Sequence, residues 1–239
     1  MYHTIFYKSN NKRAKNLILA LTLFSTSVLF ELFASLWTYY RIMEIDELGI
    51  INNDHIVQLV SISENLEVLS TILLILCGIL LLLWFRRAYF NMKERIVFTY
   101  YENYWAVIAW FIPFLNFYRP FKMMKEMTEE GLKYIEENRL NTQEKLTIKD
   151  IYIWWGFWIF SNIFVVYKNH LFNKIETLDD FKNYTLIYIS ISLIFIITSL
   201  FFVNLVQKYN EMELTIQNQI DIYNENLLLN NNENVTENN

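Results

Sequence analysis

Four long apolar stretches, separated by polar segments, dominate the pattern of this chain. They cover residues 17–40, 66–85, 151–167 and 184–207. Because a helix of roughly 20 apolar residues crosses a hydrocarbon core about 30 Å thick, each stretch is long enough, or nearly so, to span a bilayer. The pattern therefore predicts an all-α integral membrane protein whose four transmembrane helices form two hairpins that point outward from the cytoplasm.

A fifth apolar segment lies between the second and third predicted helices. Residues 104–118 are apolar and flanked by basic residues, but they are too few for an ordinary crossing. This combination is typical of a re-entrant or an interfacial segment, and both alternatives stay open. Pro113 is expected to kink a helix here, and Pro120 suits the first turn of an amphipathic helix predicted at 120–138.

Beyond the fourth stretch, apolar residues recur every three or four positions, which predicts a cytoplasmic helical extension over 209–229. Its apolar seam is expected to pack on the 120–138 helix or on a partner, including a second copy of the chain. The Asn-rich end, 230–239, has the composition of a disordered tail, and residues 1–16 form a basic cytoplasmic lead. The apolar seam of the 209–229 extension consists of Tyr209, Met212, Ile216, Ile220, Tyr223 and Leu227.

Lysine and arginine are divided unevenly among the segments between the apolar stretches. Residues 1–16, residues 86–149 and Lys208 carry 16 of the 20, whereas the loops after the first and third stretches carry the other four. Because basic residues concentrate on the cytoplasmic side of a membrane protein, both termini are predicted to be cytoplasmic. The abundance of Asn, Ile and Lys indicates a bacterial source, and hence the cytoplasmic (inner) membrane as the location.

The composition excludes several other classes of protein. Hydrophobic residues make up 54% of the chain, and many of them lie in long apolar stretches. An ordinary soluble domain rarely combines these two properties. Cys77 is the only cysteine, so an intrachain disulfide is excluded. The chain has no HExxH, phosphate-loop or GxSxG motif, and its three histidines lie outside the apolar stretches. We therefore expect no cofactor, no metal site, no nucleic-acid partner and no enzymatic activity.

Glu31 is the acidic residue inside the first apolar stretch. An ionised carboxylate in hydrocarbon is costly, so Glu31 is expected to face the interior, to pair, or to stay protonated. Asn162 and Asn204 are candidate hydrogen-bond partners from other helices. Glu31 is therefore either a packing residue or an intramembrane proton or cation site. Three polar residues share its helix face: Ser27, Ser35 and Thr38.

Three motifs carry a resemblance to a known family. They are WFRRAYFN at 84–91, WFIPFLNFYRP at 110–120, and the pair Trp154-Trp155 followed by Ser161-Asn162. Over roughly residues 60–210 the chain resembles the bacterial membrane-protein family known only as domain of unknown function 4328. The resemblance implies the helical architecture and brings no activity with it.

Polar residues of these motifs are expected near the inner boundary of the membrane, in a cluster that locks the 104–118 segment to neighbouring helices. An arginine there suits a lipid phosphate or the carboxylate of Glu102, and an asparagine suits backbone groups freed by Pro113. Arg87, Asn91, Asn116 and Arg119 are the residues expected at this depth, and Asn162 of the third motif completes the candidate cluster.

Three functions are compatible with these features. The first is a non-catalytic membrane module that interacts with a protein partner or lipid. The second is a small-solute or ion transporter or channel acting as an oligomer, for which Glu31 and the 104–118 segment are the hints. The third is an inner-leaflet lipid-modifying enzyme, for which the sequence shows no nucleophile and base.

Overall fold

The computed structural model describes residues 7–48, 53–95, 100–142 and 145–237, and over these residues the chain is helical without a β-strand. A 3-10 turn at Leu115–Phe117 joins two of the helices. The α-helices are α1 (Asn11–Leu48), α2 (Asn53–Arg95), α3 (Trp105–Ile108), α4 (Arg119–Glu137), α5 (Ile148–Phe172) and α6 (Leu178–Glu237).

Within the described ranges, three helices are long and apolar enough to cross a membrane, judged by length and composition. They are Asn11–Asp46 in α1, Asn65–Arg95 in α2 and Leu178–Asn226 in α6, which contain the first, second and fourth predicted crossings. The third predicted crossing, 151–167, lies in α5, which is not among these three helices. A crossing by α5 and the arrangement in hairpins stay predictions.

The exposed side chains of these three helices are large and hydrophobic. Phe33 on α1, Ile75 on α2 and Leu200 on α6 are 61%, 60% and 58% exposed. Contiguous apolar surface of this extent is unfavourable in water and is expected where lipid tails surround a helix. Together with the three apolar helices, it identifies a membrane protein.

The chain divides into two compact units. Unit 1 comprises Met1–Leu17, Leu80–Ile151 and Leu205–Asn239, and unit 2 comprises Ile18–Ile79 and Tyr152–Asn204. The helices α1, α2, α5 and α6 each contribute a segment to both units.

Unit 2 is held together by ring contacts and by hydroxyl pairs between helices. The Phe24 and Phe195 rings meet edge to face at 5.9 Å between centroids, which joins α1 to α6. The hydroxyl oxygens of Ser25 and Ser199 lie 2.5 Å apart on the same pair of helices. Small hydroxyl side chains let membrane helices approach closely while satisfying their own polar groups.

Unit 1 packs around α6. Trp84 of α2 is fully buried and meets the Tyr209 ring edge to face at 5.4 Å. A Cβ atom added to Gly131 of α4 would overlap the end of the Met212 side chain of α6, so the two helices are in close contact there. The predicted seam is thus covered within unit 1 over its first four residues: Tyr209, Met212, Ile216 and Ile220 are buried.

The outer part of the seam is different. Tyr223 is exposed, and the side chain of Leu227 lies outside the described residues. The α6 helix continues through Glu237, where the sequence predicts a disordered tail over 230–239. An established helix extends at the gain of one hydrogen bond per added residue, so an Asn-rich composition does not by itself end it.

The apolar segment 104–118 differs from the kinked helix that the sequence predicts. Its helix, α3, ends at Ile108, five residues before Pro113, and Phe114 adopts a positive φ of 64°. Because proline cannot donate a backbone hydrogen bond and disfavours the helical conformation of the residue before it, the chain continues in turns. Turn bonds such as Asn116 N–H to the Ile112 carbonyl (3.0 Å) replace the helical ladder.

The same segment presents a group of exposed aromatic side chains, here named the aromatic knob. Phe111 and Phe114 are 70% and 86% exposed. Exposed aromatic rings flanked by basic residues are typical of segments that rest at a membrane–water interface. The knob consists of Phe111, Phe114, Phe117 and Tyr118.

Candidate functional site

Unit 1 contains a cavity of about 300 Å³ with an unusual concentration of positive charge. We name its four basic residues the basic pocket: Lys8, Arg13, Arg86 and Arg87. The remaining lining residues are Leu83, Phe90 and Asn103, so none of the described residues that line the cavity is acidic.

Local structure explains how the basic side chains converge. Arg86 and Arg87 follow directly on the apolar run of α2, at the point where that run ends. Arg13, on the first turns of α1, donates to the Leu83 carbonyl at 2.7 Å, which fixes α1 against α2. The Lys8 ammonium lies 4.6 Å from the centroid of the Phe90 ring, a cation–π contact.

The positive charge of the basic pocket is uncompensated within the part of the chain that the structure describes. None of its four residues forms a salt bridge there. Like charges gathered around one cavity repel each other, and an anion bound between them removes that repulsion. The arrangement can therefore bind an anion, and guanidinium groups favour phosphate or carboxylate oxygens.

A buried network holds Lys8 beside this cavity. The Asn91 side chain pairs with the Lys8 backbone in both directions: Lys8 N–H donates to Oδ1 at 3.1 Å, and Nδ2 donates to the Lys8 carbonyl at 2.8 Å. Asn91 Nδ2 also donates to Glu213 Oε1 at 2.6 Å. Asn91 is fully buried, so each of these bonds replaces a bond to water that the fold removes.

Asn10 completes the network from the residue that precedes α1. Its Nδ2 donates to Glu213 Oε2 at 3.1 Å and to the Trp84 carbonyl at 3.2 Å. Asn10 and Glu213 are buried. The buried network (Asn10, Asn91 and Glu213) thereby joins the N-terminal lead, α2 and α6 within unit 1.

Asn10 and Glu213 are absent from the candidates that the sequence suggests. One signal for Glu213 is present: it lies four residues after Tyr209 and three before Ile216, on the buried side of the predicted seam. A carboxylate at a seam position indicates a buried polar partner. Asn10 lies more than 200 residues away in sequence, and no local pattern connects it to Glu213.

Arg119 contacts aromatic rings instead of an acid. Its guanidinium lies 3.6 Å from the Trp105 ring centroid and 5.1 Å from that of Tyr101. The proposed pairing of an arginine with Glu102 is wrong, because Glu102 forms a salt bridge with Lys93 at 2.9 Å. Stacking on an indole satisfies a guanidinium face without a counter-ion.

The other two candidate asparagines lie apart from the buried network. Asn116 Oδ1 is buried and accepts no hydrogen bond among the described residues, so a bond between the Asn116 side chain and the backbone near Pro113 stays a prediction. Asn162 belongs to unit 2, is exposed, and donates to the Trp158 carbonyl of its own helix at 2.7 Å. Arg87 lines the basic pocket together with Lys8, and Asn91 bonds the Lys8 backbone, so these two candidates lie near one site. The five candidates do not form a single cluster.

A second buried carboxylate in unit 1 links α2 to α4. Glu126 Oε2 lies 3.1 Å from the Tyr89 hydroxyl, and Oε1 accepts the Tyr100 N–H at 2.9 Å. Burial raises the pKa of Glu126 above its ordinary value, while these two bonds oppose the rise. Both carboxylate oxygens are used, so we assign Glu126 a structural role.

Glu31 lies in unit 2 and is only 7% exposed. Its Oε2 accepts a hydrogen bond from the Tyr188 hydroxyl of α6 at 3.0 Å, whereas Oε1 is buried without a partner among the described residues. Asn162 and Asn204, the partners that the sequence suggests, are exposed. The three polar residues on the same helix face are all buried: Ser27, Ser35 and Thr38.

A cavity of about 160 Å³ adjoins Glu31. A salt bridge between Lys168 of α5 and Glu67 of α2, with 2.8 Å between Nζ and Oε1, lies on its wall. Within the described residues there is no group of three or more His, Cys, Asp or Glu arranged to hold a metal ion. The polar residues that line the cavity beside Glu31 are Glu31 itself, Glu67, Ser70, Thr71, Lys168, Tyr188 and Ser192.

These features define an all-helical membrane protein with an uncompensated basic pocket in one unit and a buried carboxylate in the other. Residues 53–211, more than half of the chain, match the family described as Domain of unknown function (DUF4328). The chain belongs to this family, which confirms the resemblance of its motifs. No curated protein and no solved structure matches the chain. The match includes Arg86, Arg87 and Asn91, whereas Lys8 and Arg13 lie before it.

Proposed function

We propose that this protein is a non-catalytic membrane module that binds the phosphate group of an anionic lipid in its basic pocket. The observation that carries the proposal is the convergence of four basic side chains on one cavity that no acidic residue of the described part of the chain lines. Basic pockets at the cytoplasmic ends of membrane helices are suited to anionic lipid headgroups. The cavity volume of about 300 Å³ is at the lower end of the range for small-molecule sites.

The position of the basic pocket along the chain favours a lipid as the source of the phosphate. Arg86 and Arg87 directly follow the apolar residues of α2, so their side chains belong at the depth of the headgroups. The aromatic knob supplies further interfacial side chains in the same unit. A protein partner on the α6 seam is less well supported, because the seam residues from Tyr209 to Ile220 are already buried within unit 1.

This proposal includes a topology with four crossings, in which α5 is the third, both termini are cytoplasmic and the membrane is the bacterial inner membrane. The distribution of Lys and Arg supports it, since residues 1–16 and 86–149 hold most of the basic residues. Under this topology the basic pocket faces the cytoplasmic leaflet, where anionic headgroups attract basic side chains.

The crossing by α5 can be tested with single cysteines. In a Cys77→Ala background, Asn173→Cys should react with a membrane-impermeant maleimide in intact cells, and Asn141→Cys should react only after the cells are opened. Asn173 follows α5 and Asn141 precedes it, and both are exposed. If the two cysteines showed the same accessibility, α5 would not cross the membrane.

Lipid binding can be tested by native mass spectrometry of the full chain in detergent with added phosphatidylglycerol or phosphatidylcholine. The double variant Arg86→Gln/Arg87→Gln should bind phosphatidylglycerol roughly 30-fold more weakly, since each basic residue near the surface contributes about 1 kcal/mol. Binding of phosphatidylcholine should not change by a comparable factor. Competition with inorganic phosphate distinguishes recognition of a free anion from recognition of a lipid.

The matched control is Lys12→Gln/Lys15→Gln, which removes the same charge from exposed residues of α1 outside the cavity. We expect this control to retain most of the preference for phosphatidylglycerol. Equal losses in the two double variants would indicate a diffuse electrostatic attraction and would contradict a defined pocket.

A further inference from the structure

Glu31 is the one carboxylate of the described unit 2 that is both buried and incompletely paired. Its Oε2 accepts from Tyr188, but Oε1 is shielded from the surface and, among the described residues, no donor meets it with hydrogen-bond geometry, although the Ser70 hydroxyl lies near the carboxyl group. A buried carboxylate oxygen without a partner is costly while it carries charge. The geometry therefore favours a cation on this oxygen.

The charges around the cavity lead to the same conclusion. Two carboxyl groups and one ammonium face it: Glu31 from α1, Glu67 from α2 and Lys168 from α5. The Lys168 ammonium is committed to Glu67 at 2.8 Å and to the face of the Tyr188 ring at 5.0 Å from its centroid. With Glu31 ionised the group carries one excess negative charge, and a single bound proton neutralises it.

Hydroxyl groups lie on the cavity wall beside the carboxyl group. Ser70 and Ser192 line the cavity, and the hydroxyl oxygens of Ser27 and Ser70 lie 2.6 Å apart. Hydroxyl groups both donate and accept, so they accommodate a carboxyl group in either protonation state. Tyr188, whose hydroxyl bonds Oε2, contributes a donor from α6.

We propose that Glu31 forms an intramembrane proton-binding site on the wall of a small cavity between α1, α2, α5 and α6. The site is independent of the basic pocket, which lies in the other unit. Ionisable residues within membrane helices are rare, and carboxyl groups there form the proton relays of pumps and transporters.

Carbodiimide labelling of the full chain in native membranes tests this site. Dicyclohexylcarbodiimide partitions into the bilayer, adds to a protonated carboxyl group and yields a stable N-acylurea that peptide mass spectrometry locates. We expect the label on Glu31, with the labelled fraction falling as the pH rises because the carboxylate does not react. Absence of label on Glu31 across the pH range, or label on Glu67 alone, would overturn the proposal.

Variants and salts sharpen the result. Glu31→Gln should lose the label, whereas Glu67→Gln should keep it. Tyr188→Phe should keep the label to higher pH, since it removes a donor that favours the carboxylate. Mapping the wild-type chain decides the question even if a variant fails to fold. Suppression of labelling by sodium but not by choline at constant pH would overturn the proton site in favour of a metal-cation site.

Discussion

Substitution of Asn91 by aspartate should destabilise the folded protein by about 3–5 kcal/mol, the cost of breaking a buried charged interaction. Asn91 donates to Glu213 and to the Lys8 carbonyl, and it is fully buried. Aspartate lacks both donors and places a second carboxylate where Nδ2 now lies 2.6 Å from Glu213 Oε1. Two buried carboxylates at this distance cannot both be ionised, so the folded variant must hold a proton.

The same change should make stability depend on pH. The folded variant holds a proton that the unfolded chain releases near neutral pH, so its free energy of unfolding falls as the pH rises. Thermal unfolding in detergent, followed by circular dichroism, should show a melting temperature lower by roughly 10 °C. The deficit relative to the wild type should be smaller at acidic than at alkaline pH.

Asn138→Asp provides the matched control, because Asn138 is exposed at the end of α4 and bonds only its own helix at 2.9 Å. We expect a loss below about 1 kcal/mol there, from an acid near a helix C-terminus. If Asn91→Asp melted like this control, the buried network would not hold α2 and α6 together. Because Asn91 also fixes Lys8, the variant should bind phosphatidylglycerol more weakly as well.

Apolarity and charge are local properties, and the sequence predicted what depends on them. Helices α1, α2 and α6 contain three of the four apolar stretches, and α4 lies where amphipathic spacing and Pro120 predict a helix. The family followed from three motifs with fixed spacing and is confirmed by the match over residues 53–211. The burial of the Glu31 side chain, one of the alternatives predicted for it, also followed from local chemistry, since a charged side chain does not face lipid without compensation.

Contacts between distant residues could not be predicted in this way. Asn10 and Glu213 are joined only when α1, α2 and α6 pack, and neither residue has a neighbour in sequence that reveals the other. Glu102 forms a salt bridge with Lys93, and Arg119 stacks on Trp105. These choices depend on side-chain geometry that a spacing pattern does not contain.

Asn162 shows the limit of grouping polar residues by motif alone. It is grouped with the other candidates because it belongs to the third motif, but its rotation about the helix axis exposes it. Depth follows from position in the sequence, whereas the direction of a side chain follows from the packing of the helix. Buried and exposed asparagines therefore look alike in the sequence of a membrane helix.

Removal of the Trp84 side chain should be as damaging as the charge change at Asn91. Trp84 is fully buried and packs edge to face on Tyr209, and its carbonyl accepts from Asn10. Truncation of a buried tryptophan to alanine costs about 3–5 kcal/mol, because the transfer free energy is lost and a cavity remains. Trp84→Ala should therefore have a melting temperature well below that of the wild type in detergent. The measurement is the fraction of the protein that still elutes as a monodisperse peak after heating.

Two further variants separate packing from the mere loss of an indole. Trp37→Ala, at a residue that is 56% exposed, should cost less than about 1 kcal/mol. Trp84→Phe keeps an aromatic ring against Tyr209 and should recover part of the loss. The order of stability should be wild type, Trp37→Ala, Trp84→Phe and Trp84→Ala. Equal melting temperatures for Trp37→Ala and Trp84→Ala would mean that α2 and α6 do not share the core of unit 1. The packing of α2 on α6 would then not explain how the residues of the basic pocket are held in place.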